Sequence, residues 1–151
     1  MASPEPEFRS IVVSFPCQVQ WGDCDPAGII FYPTYFRWMD AATWALMEGV
    51  GYGPKRMREE HLAMPLVSAS CDFLAPAEQG DRCEVRSRIQ RFGGRSFAVA
   101  HEIVRADGAP LVAVLARGSE TRVWGRFSKG PGSPMKGEPI PEALKASLRA
   151  K

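Results

Sequence analysis

The chain has 151 residues, of which 45% are hydrophobic, 24% charged and 10% aromatic. That is one domain's length, long enough to bury a core without a disulfide or metal staple. Nineteen Lys and Arg against 17 Asp and Glu leave a net charge of +2, too balanced for a protein devoted to nucleic acid. No apolar run approaches the ~18 residues of a membrane span. The first seven residues are acidic and Pro-rich, without the basic and apolar regions of a secretory signal. A cytoplasmic protein with neither nucleic-acid nor membrane partners is expected.

The first element is a strand with Val13, Phe15, Cys17, Val19 and Trp21 on one face, a period of two. Pro16 within it predicts an edge or a bulge. A turn-rich stretch from Gly22 to Gly28 breaks the strand. The residues from Tyr35 to Glu48 contain no Gly or Pro and predict a helix, with Thr34 as N-cap and Gly49 as its stop. Tyr35, Phe36, Trp38, Met39, Ala41, Ala42, Ala45, Leu46 and Met47 cover most of its circumference, and only Arg37, Asp40 and Glu48 form a polar strip. A helix apolar nearly all round is buried on several sides, which one sheet wrapped around it achieves.

Pro54 begins a short second helix reaching His61. Four strands follow: 65–75, alternating Val67, Ala69, Cys71 and Phe73, then 82–91, 95–105 and 111–124. The second is the clearest, with Cys83, Val85, Ser87 and Ile89 facing one way and Arg82, Glu84, Arg86, Arg88 and Gln90 the other. Gly93-Gly94 and Asp107-Gly108 mark hairpins. Residues 130–141 are rich in Pro and Gly and read as a linker, with a short helix over 142–150. The order is β-α-β-β-β-β, an α+β domain over residues 1–128 with a tail over 129–151.

Residues 82–126 hold nine Arg and four acids, a local charge of +5. Arginines on a sheet suit a few phosphates, and equally suit solvated strand faces. Cys17, Cys24, Cys71 and Cys83 lack metal-ligand spacing, so no zinc site is expected. Cys17, Cys71 and Cys83 instead fall at apolar strand positions as small hydrophobes. His61 and His101 receive no catalytic role. No Ser sits in a Gly-x-Ser-x-Gly elbow, which excludes an α/β-hydrolase.

The segment Trp21 to Asp40 carries the chemistry. Asp23 and Asp25 precede Pro26-Ala27-Gly28, and Tyr32-Pro33-Thr34-Tyr35 follows at the helix N-terminus. A carboxylate there stands beside unpaired helix amides, whose dipole favours negative charge. A thioester carbonyl lodged there would meet an oxyanion hole. Asp23 and Asp25 as mere turn caps is the competing reading.

This segment closely resembles the active-site signature of the 4-hydroxybenzoyl-CoA thioesterase family, and the element order extends the likeness over residues 12–125. Related acyl-CoA thioesterases of the Tol–Pal cluster usually carry His where this chain has Pro33. The resemblance implies a hotdog fold, an antiparallel sheet wrapped around a long central hydrophobic helix. It also implies cofactor-free hydrolysis of an acyl-CoA at a subunit interface, in a dimer or a dimer of dimers (homotetramer). Asp25 matches the catalytic acid, acting as nucleophile or as general base, with Gly28 through Tyr32 supplying the oxyanion amide. Pro26, Ala27 and Tyr35 would contact substrate. Asp40 matches the acid facing a ring hydroxyl, where an ion pair with Arg37 is the simpler account. Arg95 and Ser96, then Arg122, match the positions toward CoA, with Arg91 or Arg126 as substitutes. The alternatives are a short- or medium-chain aliphatic acyl-CoA or acyl-carrier-protein thioesterase, and a non-catalytic acyl-CoA-binding protein.

Overall fold

A computed structural model of the chain describes residues 8–107 and 113–151. The elements in chain order are β1 (Val13–Gln18), a single 3-10 turn (Trp21–Asp23), α1 (Tyr32–Gly49), α2 (Pro54–Glu59) and β2 (Leu62–Ala63). Then come β3 (Leu66–Phe73), β4 (Arg82–Phe92), β5 (Ser96–Arg105), β6 (Val114–Val123), β7 (Gly125–Phe127), β8 (Met135–Gly137) and α3 (Glu142–Leu148). Gly108 of the second hairpin signal, and the start of the strand predicted from residue 111, lie outside the described residues.

Five strands form one antiparallel sheet in the order β1-β4-β5-β6-β3. α1 packs against it, with Met39, Ala42, Leu46 and Met47 fully buried. Gly118 of β6 permits that approach: a Cβ there would meet the Met39 sulfur and lie 2.9 Å from the Ser70 carbonyl oxygen. The helix starts earlier than predicted. Phe31 is its N-cap and Pro33 stands in its first turn, where proline's missing N–H costs nothing. Thr34 lies inside the helix and donates its hydroxyl to the Asp23 carbonyl (3.1 Å).

Pro16 does lie on an edge strand, β1. Trp21 does not continue the inward face: the 3-10 turn swings it out, and it is 80% exposed. β3 also departs from the alternation read into it. Val67 and Phe73 are exposed in the single chain, and so are Leu66 and Leu74. As the last strand of the sheet, β3 leaves one row of backbone groups unpaired.

The Pro/Gly-rich stretch is not a linker. It contributes β8, which pairs with β7 in a small sheet of order β2-β7-β8. Ile140, Leu144 and Leu148 then join the core cluster that contains Leu46, Met47 and Trp124. No helix among the described residues is long and apolar enough to cross a membrane.

Candidate active site

Local hydrogen bonds shape the loop between β1 and α1. The Asp25 carbonyl accepts the Gly28 N–H (2.9 Å), closing a turn in which Gly28 takes a positive φ of 83°. Asp25 Oδ1 accepts the Ala27 N–H at 2.8 Å. This is the capping geometry typical of Asp in turns. It leaves Oδ2 without a partner among the described residues, so one carboxylate both caps the turn and presents a free oxygen.

Asp25 borders two cavities. One, of about 550 Å³, is lined by Trp21, Gly22, Cys24, Pro26, Gly28 and Gln79. The other, of about 420 Å³, is lined by Ile29, Ile30, Tyr32, Tyr35 and residues 73–76. In the second, Tyr35 packs against Phe73 with ring centroids 5.2 Å apart. Burial pushes the Tyr35 hydroxyl up to about 12, so it remains protonated at neutral pH. Outside, Phe31 and Tyr32 form an exposed edge-to-face pair.

The amides of the loop divide into engaged and free. Those of Gly28, Ile30 and Phe31 donate to the carbonyls of Asp25, Ala77 and Asp23. Gly28, read from the sequence as an oxyanion donor, therefore already uses its N–H inside the turn. The amides of Ile29 and Tyr32 have no acceptor among the described residues, and both residues line the second cavity with Asp25. The Tyr32 amide opens α1, where the helix dipole adds positive potential.

Asp23 is structural. It is buried, its Oδ2 accepts the Gln20 N–H (2.8 Å), and its Oδ1 pairs with Arg37. Arg37 is thereby taken, so the expected Arg37–Asp40 pair does not form. Asp40 pairs instead with Arg122, Nη2 lying 2.7 Å from Oδ1.

Arg122 is the main correction among the CoA candidates. It is 3% exposed, its Nε donating to Glu120 Oε2 (2.6 Å) and its Nη1 to the Met64 carbonyl (3.2 Å). A guanidinium sealed in the core is not displayed to a nucleotide phosphate. Glu120 also accepts Thr43 Oγ1 (3.3 Å) and meets His101 Nε2 (3.0 Å), whose Nδ1 lies 2.7 Å from Ser87 Oγ. Sequence reasoning missed this network. The signal was present as Glu120 and Arg122, two apart on the same face of β6.

Burial pushes the Glu120 carboxyl up, but the hydrogen bond from His101 and the Arg122 guanidinium outweigh it, leaving it below the usual range. A folded value below the unfolded one stabilises the fold above the unfolded pKa, and that contribution is lost as pH falls through the folded value. The melting temperature is therefore expected to decline below about pH 4.3, the ordinary glutamate value. In Glu120→Gln this part of the decline should be absent in pH-dependent thermal melts.

Arg95 is exposed and Ser96 half-buried, at the β4–β5 hairpin. The Asp25 loop packs at the opposite end of β4: Ile30 N–H meets the Ala77 carbonyl just before that strand begins. Eleven residues of β4 separate the two places, roughly 35 Å at the usual strand rise. One chain does not bring Asp25 together with Arg95 and Ser96. Most other arginines of the basic stretch pair with carboxylates: Arg86 with Glu84, Arg105 with Asp81, Arg117 with Glu102 and Arg126 with Glu138.

The four cysteines are free thiols, and burial raises Cys17 to about 12 and Cys71 and Cys83 to about 11. These three behave as apolar groups rather than nucleophiles.

An antiparallel sheet packed against one apolar helix is the hotdog fold of thioesterases. A family model described as the thioesterase-like superfamily matches residues 19–148, and the chain belongs to that superfamily, in the 4-hydroxybenzoyl-CoA thioesterase family. The 4-hydroxybenzoyl-CoA thioesterase of Pseudomonas sp. (strain CBS-3) is 31% identical over 110 residues, 71% of this chain and 78% of that one. The solved structure of that thioesterase superposes with a TM-score of 0.80 at 27% identity, covering 91% of this chain and 99% of the other. A gentisyl-coenzyme A thioesterase structure gives 0.75 at 29% identity, covering 90% and 98%. The 1,4-dihydroxy-2-naphthoyl-CoA hydrolase of Synechocystis sp. is 32% identical over 104 residues, 64% of this chain and 70% of its own. The chain is an acyl-CoA thioesterase.

Proposed function

We propose that the enzyme hydrolyses an aromatic, hydroxybenzoyl-type acyl-CoA to the free acid and CoA. The observation that carries this reading is the position of Asp25, which lines both the aromatic second cavity and the larger first one. The thioester would sit at the mouth of the cavity that Asp25 and Tyr32 line, with Pro26 and the Ala27 backbone forming the wall of the loop, and the acyl ring would run from Tyr32 past Phe36 toward Asp40 on the outer strip of α1. The thioester carbonyl carbon would face Asp25 Oδ2. The Tyr32 and Ile29 amides would then receive the carbonyl oxygen as negative charge develops on it. Asp25 either attacks the carbon, expelling CoA as its thiolate and leaving a mixed anhydride that water then hydrolyses to the free acid, or removes a proton from a water that attacks the carbon directly as the CoA thiolate departs. CoA enters as part of the substrate, and the steps use only a carboxylate, peptide amides and water.

A homo-oligomer, a dimer or a dimer of dimers, completes this picture. The exposed Tyr32, Phe73 and Leu74 line the second cavity, Phe31 stands against Tyr32, and β3 has a free edge. A second copy covering them would bury apolar surface and pair the open edge. It would also let Arg95 and Ser96 of another subunit approach CoA, which the length of β4 forbids within one chain.

Relatives whose names specify hydroxylated aromatic acyl groups support a substrate with a ring hydroxyl, and Asp40 is assigned as the group that meets it by the resemblance of its position in the family signature. A site built to hydrogen-bond a hydroxyl rejects the analogue lacking it. Asp40→Ala is expected to reduce the preference for 4-hydroxybenzoyl-CoA over benzoyl-CoA by about tenfold or more, read as the ratio of kcat/KM values. An unchanged ratio removes Asp40 from substrate recognition.

A further inference from the structure

The network beneath Asp40 holds more than core stability requires. Glu120 and Arg122 side chains are 2% and 4% exposed and neutralise each other, with Thr43 and His101 satisfying the carboxylate's remaining lone pairs. Because a carboxylate only accepts, His101 turns Nε2–H toward Glu120, and in the neutral tautomer Ser87 donates to Nδ1. That pair is already compensated. Arg122 nonetheless extends Nη2 to a second carboxylate, that of Asp40, which is 55% exposed on the outer strip of α1. Exposed carboxylates do not need a buried partner, and water would serve Asp40 equally well.

The consequence is fixity. The Arg122 nitrogens are tied to Glu120, the Met64 carbonyl and Asp40, so the guanidinium plane has no freedom to turn. Asp40 Oδ1 is anchored to that plane, while Oδ2 has no partner among the described residues. Tyr32, Phe36 and Asp40 follow one another at i, i+4 and i+8 along one strip of α1. The strip is about 12 Å long at the helical rise, matching one para-substituted benzoyl group with a hydrogen bond at each end.

We propose that Arg122, braced by Glu120 and His101, is a positioning residue that holds the Asp40 carboxylate as a fixed acceptor for a hydrogen-bond-donating para substituent on the acyl ring. The proposal rests on the aromatic reading of the site given above. An ionised carboxylate accepts only, so the device favours hydroxyl or amino groups and disfavours a methoxy group, which offers no proton. A loose Asp40 would swing into water and pay little for a missing partner. The held one cannot, and the discrimination follows.

The test is a double-mutant cycle on selectivity. The ratio of kcat/KM for 4-hydroxybenzoyl-CoA to that for 4-methoxybenzoyl-CoA is measured for the wild type, Asp40→Ala, Arg122→Lys and the double variant, with a thermal melt of each. Lysine keeps the charge but loses the fork that serves two carboxylates together. Each single variant is expected to lower the ratio by about tenfold, and the double variant to fall no further than Asp40→Ala alone, because coupled residues are not additive. A folded Arg122→Lys with the wild-type ratio, or losses that multiply in the double variant, overturns the positioning role while the ring reading stands. An unchanged ratio in Asp40→Ala removes Asp40 as the acceptor, and the proposal with it, whereas the aromatic reading itself falls only if 4-hydroxybenzoyl-CoA is not the preferred thioester of the wild type. Should Arg122→Lys not fold, Glu120→Gln removes the brace at constant shape, and the same criteria apply to it.

Discussion

Asp25→Asn should lower kcat by ~10²–10⁴-fold while leaving acyl-CoA affinity within a few-fold. Asparagine is nearly isosteric, and its side-chain oxygen can still accept the Ala27 N–H that Asp25 Oδ1 accepts at 2.8 Å. The turn and both cavities should therefore persist. The negative charge on the second oxygen is lost, and that charge is needed on either route. An amide neither attacks a thioester carbon nor takes a proton from water at neutral pH. Because the defect lies in the transition state and not in binding, kcat and kcat/KM should fall together. Steady-state release of free thiol, paired with equilibrium binding of the intact thioester, checks both parts.

Glu120→Ala should destabilise the fold by about 3–5 kcal/mol, the usual cost of removing one partner of a buried ion pair. The guanidinium of Arg122, 4% exposed, would keep only the Met64 carbonyl and the half-exposed Asp40. Thr43 and His101 would lose their acceptor in the same step. Arg117 and Glu102 offer the contrast, since Arg117 is exposed and Glu102 only half-buried, 3.3 Å apart. Breaking that pair should cost under about 1 kcal/mol. Urea unfolding of the two variants side by side measures the difference, and a loss of similar size in both would contradict the account of the buried network.

The core scaffold was legible because its signals are local. Nine apolar residues around one helix demanded a covering sheet, and the β4 alternation of Cys83, Val85, Ser87 and Ile89 survives as four buried positions. The Asp25-Pro26-Ala27-Gly28 turn was likewise written in adjacent residues. What stayed hidden depends on distant partners. The alternation of β3 reads as a buried face, but the strand has no neighbour on one side, and its apolar residues stand exposed in the single chain. Glycine and proline around residues 130–141 masked β8, a strand only three residues long that is held by β7 rather than by its own propensity. Arg122 looked like one more surface arginine of a basic stretch. Its burial follows from meeting Glu120 on β6, the Met64 carbonyl after β2 and Asp40 on α1 simultaneously, a coincidence of three segments that spacing along one strand does not reveal. The separation of Asp25 from Arg95 is of the same kind. Both belong to the motif set, yet strand direction places them at opposite ends of the sheet.

Thiol release from a panel of 4-hydroxybenzoyl-, benzoyl-, octanoyl- and acetyl-CoA by the purified enzyme bears most directly on the central claim. The account predicts the highest kcat/KM for the hydroxylated aromatic thioester. Faster turnover of octanoyl- or acetyl-CoA, or binding of all four with hydrolysis of none, would contradict it.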